Sequence, residues 1–397
     1  MSTIRVANIQ HPDAAEPAIT LDANGDATIP SLPSDLGGLS DVDTTGAADG
    51  EALVFSSGSW APAEIGGGGL EGTSYVFVAG DGTAEENGTA LDDAYTAAKA
   101  LTPYGDALAD DNRAWVVVAP GIYDTTLEMD GQFVNVVSLD GDMSIRLTAI
   151  DVQADNVLVR GIDVGTANFL IGDDLAGLVA EKCAGGDFSF GRSKIASGTF
   201  VDCVGGGFAF GGQGTASGTF TNCTGGSNSF GTQGTASGTF INCTGGIFAF
   251  SDTGTASGTF INCTAEGSSF GGGFGTASGT FINCTAGGGS FGGAFGTFTN
   301  CTAGSQSFSY QGTASGTFTN CTGGSESFAT QGFASGTFTN CTGGSDSFGG
   351  DPLGFDIGTL SGTVLYCRLT SGTFATPSGG GRIRLSLDGN FSEVNAG

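Results

Sequence analysis

The sequence is poor in charged side chains, and the shortage is greatest for positive ones. Only 11 of the 397 residues are Lys or Arg, against 40 Asp and Glu, so the formal net charge is −29. Nucleic-acid binding takes most of its affinity from Lys and Arg contacts to phosphates, and we therefore predict no nucleic-acid partner. The acidic residues are unevenly placed: 30 precede Cys183, and only six lie between Cys183 and Gly350.

Long apolar runs and histidines are also scarce. No stretch approaches the roughly 18 consecutive apolar residues of a membrane-spanning helix, so we predict no membrane insertion. The opening MSTIRVANIQHPDAAEP lacks the apolar segment of a secretory signal peptide, so we expect no signal peptide. The single histidine, His11, excludes a Ser-His-Asp triad from the repeat region.

Glycine and phenylalanine, in contrast, are abundant. The chain has 74 Gly and 30 Phe but only 9 Pro. Disordered segments are poor in aromatic residues, and collagen needs strict Gly-X-Y triplets with many prolines. The composition therefore predicts turns at Gly between short strands that bury Phe.

A repeat of twenty residues fills the second half of the chain. Cys occurs at positions 183, 203, 223, 243, 263, 284, 301, 321, 341 and 367, and Phe keeps the same step in the GTF and SF motifs. A unit this short, without a helical pattern, cannot bury a core alone. It can form one coil of a β-solenoid, in which equivalent residues stack about 4.8 Å apart. We predict a mostly β fold, a right-handed parallel β-helix with about 20-residue coils.

The repeat also predicts which side chains point inward. In TFTNCTGGSNSF, residues 219–230, we place Phe220, Cys223 and Phe230 inside and Asn222 at a bend. The cysteines form no C-x-x-C pair, so we predict a column of buried thiols and no metal site or cofactor. The NCT tripeptides match a glycosylation sequon, but a stacked row of Asn is the preferred interpretation. The 17-residue interval at GGAFGTF predicts a shortened outer loop between intact strands.

Shorter elements precede the repeats. Residues 1–35 are predicted as a β module with a hairpin turn at Asn24 and Gly25, and residues 36–70 as a second β module, ending on Trp60, with a Gly-rich hinge at 65–69. Residues 71–113 carry one amphipathic helix, capped by Thr89 and stopped by Pro103, that closes one end of the solenoid. The β-helix is predicted for 114–366, beginning at AWVVVAPGIYD, and a cap for 367–397.

These features together resemble the pectate-lyase-like β-helix of tailed-phage tailspikes and tail fibres. The capping helix, AWVVVAPGIYD and the F-x-N-C bends carry the likeness, and IRVANIQHPDAAEPAITLDANGDATI and LSDVDTTGAADGEALVFSSGSWAPAE are similar to N-terminal modules of marine phage tail proteins. The resemblance implies a virion tail appendage assembled in the host cytoplasm. It also implies a homotrimer that attaches to other virion tail proteins through its N-terminus and contacts the host through the β-helix.

A short window after each NCT keeps changing: GGSNSF, GGIFAF, AEGSSF, AGGGSF, AGSQSF, GGSESF and GGSDSF. A purely structural solenoid does not need this variation, whereas a binding surface does. We therefore predict a non-enzymatic surface for a host receptor, either a glycan or a protein. Its predicted contact residues are the variable polar residues and the aromatic residues outside the regular columns: Asn228, Phe248, Phe274, Phe295, Tyr310, Glu326, Phe333 and Asp346.

Two other classes of function stay open. A polysaccharide depolymerase would need two carboxylates, and Glu326 and Asp346 share one repeat position in successive coils. A lyase would need a base, and Lys182, Arg192 and Lys194 cluster near the first coils. The third class is a passive structural appendage, including an ice-binding solenoid, because the Thr residues of GTASGT would align in rows.

Overall fold

Two compact units, Met1–Glu71 and Gly72–Gly397, make up the chain. The computed structural model describes the strands of residues 1–71 and 382–396 and a larger set of residues between them: 73–167, 169–171, 175, 177–191, 195–272, 275–309, 312–329, 332–348 and 359–371. The predicted hinge at 65–69 and the turn at Asn24 and Gly25 lie outside the described residues.

The first unit contains short antiparallel strands. Ile19–Leu21 pairs with Ala27–Thr28, and these are the two strands of the predicted hairpin. Ile19–Leu21 also pairs with Asn8–Ile9. Glu51–Ser56 pairs with Ser59–Glu64 and sets Phe55 opposite Trp60. Trp60 therefore does not end the second module, because its strand continues to Glu64.

In the second unit, the helix α1 (Ala84–Lys99) follows the strand Tyr75–Val78 and is itself followed by a 3₁₀ turn at Pro103–Gly105. Its predicted apolar face is confirmed, since Leu91, Ala94, Tyr95 and Ala98 are buried. The predicted cap at Thr89 is wrong: Thr83 caps the helix, and its Oγ1 accepts a hydrogen bond from the Glu86 amide (3.3 Å). The Glu86 carboxylate accepts in turn from the Thr83 amide (2.8 Å), and this bond lowers the pKa of Glu86.

The N-terminal part of α1 contains Asn87 and Gly88, two residue types that disfavour helices in isolation. Asn87 donates from Nδ2 to the Ile122 carbonyl (3.1 Å), and a Cβ on Gly88 would lie 2.7 Å from the Asp124 carbonyl oxygen. Asn87 and Gly88 therefore serve the contact between α1 and the strand Gly121–Met129. Their tertiary role explains why the sequence pattern suggested a later start.

Parallel strands stack in register from one coil to the next. The stack begins before the helix, because Tyr75–Val78 pairs in parallel with Ala114–Val118, which was predicted to be the first strand. This sheet continues through Val134–Ser138, Leu158–Arg160 and Val179–Glu181. A second side of the early coils is made by Gly121–Met129, Ile145–Val152, Ile162–Asp163 and Phe169–Ile171.

Each later coil contributes up to three short strands. We call the first set the Thr-Ala strands: Ile195–Ala196, Thr215–Ala216, Thr235–Ala236, Thr255–Ala256, Thr276–Ala277, Gly293–Ala294, Thr313–Ala314, Phe333–Ala334 and Thr359–Leu360. The second set, the Phe strands, continues the main sheet: Thr199–Val201, Thr219–Thr221, Thr239–Ile241, Thr259–Ile261, Thr280–Ile282, Thr297–Thr299, Thr317–Thr319, Thr337–Thr339 and Thr363–Leu365. The third set follows Cys: Thr244–Gly245, Thr264–Ala265, Thr285–Ala286, Thr302–Ala303, Thr342–Gly343 and Arg368–Leu369. The predicted parallel β-solenoid is thus confirmed.

The first C-terminal strand extends the parallel stack, and the last strand runs in the opposite direction. Arg382–Leu387 pairs in parallel with Thr363–Leu365. Glu393–Ala396 pairs with Arg382–Leu387 in the antiparallel direction.

Two ladders of Phe rings fill the core of the repeats. On the Phe strands, Phe220 and Phe240 stack with centroids 4.9 Å apart and ring planes 4° apart. A second ladder follows the SF motif, where Phe210 and Phe230 stack at 4.8 Å. The two ladders meet edge to face, as between Phe220 and Phe230 at 5.7 Å and 87°. Offset stacking and edge-to-face contacts are the favoured aromatic geometries, and here each ring makes both.

The second ladder holds its Phe residues in a left-handed backbone conformation. Phe230 has φ 57°, and Phe210 and Phe250 both have φ 51°. This conformation costs roughly 1–2 kcal/mol for a residue with a Cβ. Burial of a Phe side chain contributes about 2–3 kcal/mol, and each ring pair adds about 0.5–1.5 kcal/mol. Packing therefore outweighs the strain, and the Phe230 amide also donates to the Ala209 carbonyl of the preceding coil (3.1 Å).

The cysteines form the predicted column. All ten are buried and none forms a disulfide. The Cys223 thiol donates to the Phe200 carbonyl (3.4 Å) and the Cys243 thiol to the Phe220 carbonyl (3.3 Å). Burial raises the pKa of the Cys203 thiol well above its usual value, so it stays protonated and unreactive.

Within the repeats from Cys183 to Cys367, all variation in coil length falls in one loop, between the second Phe ladder and the next Thr-Ala strand. This loop has four residues in most coils, five after Phe270, one after Phe291 and ten after Phe348. These lengths account for the Cys intervals of 21, 17 and 26. The Phe strand after the shortest loop still pairs in register, with Phe298 beside Phe281, which confirms the predicted shortened loop.

The invariant Gly of each GTF motif allows the coils to approach closely, and its replacement should be costly. A Cβ on Gly238 would lie 2.1 Å from the Gly218 carbonyl oxygen of the preceding coil. We expect Gly238→Ala to destabilise the protein by about 2–3 kcal/mol, the range of an overpacked core. The matched control is Gly207→Ala, whose Cβ would meet nothing closer than 3.4 Å. Chemical denaturation measures both, and equal stability of the two variants would contradict the close stacking.

Candidate functional site

Within the changing window, each coil has a position five residues after Cys where the residue changes while the backbone conformation is kept. We call these positions the variable column: Phe188, Phe208, Asn228, Phe248, Ser268, Gly289, Gln306, Glu326 and Asp346. All nine have a left-handed backbone, with φ between 53° and 70°. Their amides continue the ladder between coils, as from Asn228 to the Ile247 carbonyl (2.9 Å).

In this column the left-handed backbone directs the two following residues into the core, so the side chain of the column residue itself is not needed for folding. In the coil around Asn228, the next residue, Ser229, and Phe230 are both buried, whereas Asn228 itself is only half-buried. The Ser229 hydroxyl donates to the Gly206 carbonyl (3.2 Å), which fixes the turn from inside. The column can therefore change its chemistry without disturbing the core.

The chemistry of the variable column changes along the solenoid. At its N-terminal end, Phe188 and Phe208 stack with centroids 5.2 Å apart, and Phe248 is 38% exposed. Toward the C-terminal end the column becomes polar and then acidic, and Gln306 donates from Nε2 to the Glu326 carboxylate (2.9 Å). The column thus offers aromatic surface at one end and carboxylates at the other.

The predicted receptor-binding residues fall in more than one place. Four of them, Asn228, Phe248, Glu326 and Asp346, lie in the variable column. Phe295 and Phe333 are exposed, at 48% and 56%, but belong to the other side of the variable-length loop. Phe333 takes the Thr position of a Thr-Ala strand, beside Thr313. The remaining two, Phe274 and Tyr310, lie outside the described residues.

Phe295 has a local packing role in the shortened coil. Its ring lies where a side chain on Gly293 would be, because a Cβ there would meet the ring at 2.8 Å. Gly293 replaces the Thr found at this position in the Thr-Ala strands on both sides. Gly293 and Phe295 therefore form a matched pair of changes, and this contact accounts for Phe295 without a ligand.

Phe188 and Phe208 belong to the column but were missed by sequence reasoning. Their coils read CAGGDFSF and CVGGGFAF and lack the NCT motif that was used to align the window. The signal that finds them is the offset from cysteine, because each lies five residues after Cys183 or Cys203, as Asn228 lies five after Cys223.

The Asn residues at the bend form a continuous side-chain ladder on the surface. Asn242 donates from Nδ2 to Asn222 Oδ1 and Asn262 to Asn242 Oδ1, each at 3.0 Å. The ladder runs as far as Asn340, and at its other end Asn222 donates to the Asp202 carboxylate (2.9 Å). The preferred interpretation of the NCT motif, a stacked Asn row, is thus confirmed, since every amide in it is used.

Of the basic residues considered for a lyase, the structure describes only Lys182. Lys182 donates from Nζ to Asp142 (2.8 Å), and this bond raises the pKa of Lys182, which makes it a poor proton acceptor. Arg192, Lys194 and His11 lie outside the described residues. Among the residues that the structure describes, no group of His, Cys, Asp and Glu could hold a metal ion, and no helix is long and apolar enough to cross a membrane.

No protein-family model, curated protein or solved structure matches the chain. The fold and the candidate site therefore rest on the coil geometry alone.

The asparagine ladder predicts a difference between two substitutions at one position. Asn262 has φ 55°, donates to Asn242 and accepts from Asn283. Asn262→Ala and Asn262→Gly both remove these hydrogen bonds, but only Ala keeps a Cβ in the left-handed conformation. We expect the Ala variant to be less stable than the Gly variant by about 1 kcal/mol. Urea denaturation tests this, and an Ala variant as stable as the Gly variant would contradict the left-handed bend.

Proposed function

We propose that the solenoid is a non-enzymatic receptor-binding scaffold, and that the variable column is its contact surface. The observation that carries the proposal is the contrast within each repeat between the recurring buried Phe and Cys ladders and a surface column whose side chains change from aromatic to polar to acidic on a constant backbone. A column of this kind lets one backbone present different chemistry at a spacing of about 4.8 Å. Selection for a ligand explains such variation better than selection for stability.

The exposed groups of the column suit a receptor on a cell surface. The stacked pair Phe188–Phe208 and the exposed ring of Phe248 offer aromatic faces to the apolar side of a sugar ring or to a protein side chain. Glu326 and Asp346 offer acceptors to hydroxyl or ammonium groups. A glycan or a protein on the host surface is the receptor class that we propose.

The resemblance to tailspikes and tail fibres supports a specific biological role for this scaffold. We propose a virion tail appendage, assembled in the host cytoplasm as a homotrimer and attached to other tail proteins through its N-terminal unit. The low content of Lys and Arg, 11 residues in all, disfavours nucleic acid as the partner. A polysaccharide depolymerase is the less favoured alternative, because Glu326 already accepts a hydrogen bond from Gln306 in an open column.

The Thr rows favour one second candidate, a surface that orders water or ice. Thr215, Thr235 and Thr255 align in register on the Thr-Ala strands, and the Phe strands carry a parallel row through Thr219 and Thr239. A regular array of hydroxyl and methyl groups is what such a surface needs. Thermal hysteresis of a purified sample would support this candidate, and its absence would remove it.

The receptor proposal predicts that column substitutions abolish binding and leave the fold intact. The triple variant Phe248→Asn, Glu326→Asn, Asp346→Asn keeps residues that tolerate the left-handed backbone. We expect it to bind intact cells from a panel of bacterial strains at least about tenfold more weakly than the parent protein, a loss of about 1.4 kcal/mol. We expect only a small change in its melting temperature, because Phe248 is 38% exposed and the half-buried Glu326 and Asp346 lie outside the Phe and Cys ladders.

The matched control is Tyr366→Asn, which replaces an exposed aromatic residue outside the column with the residue found at this bend in most coils. It should bind as the parent does. Equal binding by the triple variant, or a parent protein that binds no strain, would contradict the proposal. Release of reducing ends from bound polysaccharide would favour the depolymerase instead.

A further inference from the structure

A cleft at the first coils lies outside the repeats and takes no part in the proposed receptor surface. It has a volume of about 220 Å³, and its lining residues are Ser74, Tyr104, Asp110, Asp111, Asn112, Arg113 and Trp115. Drug-sized ligands occupy sites of about 300–1,000 Å³, so this cleft suits one ring-sized unit. We call it the Tyr104 cleft.

Tyr104 is held at the cleft in a way that folding does not require. Its backbone is left-handed, with φ 59° and ψ 17°, a conformation disfavoured for a residue with a Cβ. Its ring is 81% exposed, so burial does not offset the strain as it does for the core Phe residues. Strained, exposed aromatic residues of this kind are a reason to look for a ligand. Trp115, which is half-buried, supplies a second aromatic surface.

Asn112 holds the turn that carries Tyr104. Its Nδ2 lies within hydrogen-bond distance of three backbone carbonyl oxygens, those of Pro103 (3.0 Å), Asp106 (3.1 Å) and Ala107 (3.0 Å). These contacts fix the orientation of the amide. Its Oδ1 is buried and accepts no hydrogen bond from the described residues. The three carbonyls flank Tyr104 along the chain, so the Asn112 amide holds the turn that presents the Tyr104 ring.

The charges at the cleft disfavour an anionic ligand. Arg113 pairs with the Asp110 carboxylate and also donates to the Asn156 carbonyl (2.7 Å), so its guanidinium is already engaged. Asp111 remains as a further carboxylate in the lining. A neutral molecule with several hydroxyl donors meets these acceptors, whereas a phosphate or an acidic sugar would be repelled.

We propose that the Tyr104 cleft binds a single neutral saccharide ring, whose apolar face lies on an aromatic ring and whose hydroxyls donate to the carboxylates of Asp110 and Asp111. Stacking on an aromatic face and hydrogen bonds to a few polar groups are complementary needs of a pyranose. This site is separate from the variable column and does not rest on the receptor proposal. It would give the chain a saccharide subsite near the N-terminal end of the coil stack.

Tryptophan fluorescence can test this directly, because the chain has two tryptophans. In the full-length chain with Trp60→Phe, only Trp115 reports. Glucose, galactose, mannose and N-acetylglucosamine are titrated separately, with choline chloride as a cationic probe. We expect a saturable change in emission with at least one of these sugars and none with choline. No response to any sugar, or a response to choline alone, would overturn the proposal.

Two Tyr→Gly variants in the same Trp60→Phe background separate binding from structure. Tyr104→Gly should weaken sugar affinity at least about tenfold, since it removes the stacking ring. It should also keep or raise the melting temperature, because Gly accepts the left-handed backbone. The matched control is Tyr366→Gly, an exposed tyrosine with φ 53° away from the cleft, which should leave affinity unchanged. Unchanged affinity in Tyr104→Gly, or a fall in its melting temperature, would overturn the proposal.

Discussion

The stacking of identical Phe residues in successive coils is the interaction on which the rest of the structure depends. Rings such as Phe220 and Phe240 lie 4.9 Å apart, a distance that backbone pairing at strand spacing allows. This spacing fixes the register of each coil, excludes a Cβ at Gly238 and holds Phe230 in a left-handed backbone. Burial and stacking together exceed the cost of that conformation, so the strain recurs in every coil without unfolding it.

With such a core, side chains and loop lengths on the outside of each coil can change with little effect on the stability of the fold. Length changes are confined to the loop after the second Phe ladder, and changes in side-chain chemistry are concentrated in the variable column. The asparagine ladder, in contrast, is an exposed feature that does not vary between Asn222 and Asn340, because each amide donates a hydrogen bond to the side chain of the preceding coil. Exposure alone therefore does not mark the proposed binding surface; variation on a fixed backbone does.

The period of the sequence was enough to predict the solenoid, the inward Phe and Cys and the bend at Asn222, because residues that stack on their own copies must repeat. The pattern could not predict features set by contacts between different elements. Thr83 caps the helix in place of Thr89 because Asn87 and Gly88 contact the neighbouring strand, and Tyr75–Val78 joins the stack across the whole helix. The site residues were grouped by residue type, so Phe295 was included although its ring packs over Gly293. The Tyr104 cleft had no sequence signal, since it depends on a left-handed tyrosine.

An anomalous-scattering map of the sulfur atoms in a crystal would test the stacked geometry most directly, because all ten cysteines lie in one column. The geometry described above predicts ten cysteine sulfur positions in a single row, separated by about one strand spacing, 4.8 Å. Sulfur positions scattered through the molecule, or joined in pairs at the roughly 2 Å separation of a disulfide, would contradict the solenoid and, with it, the variable column as a binding surface.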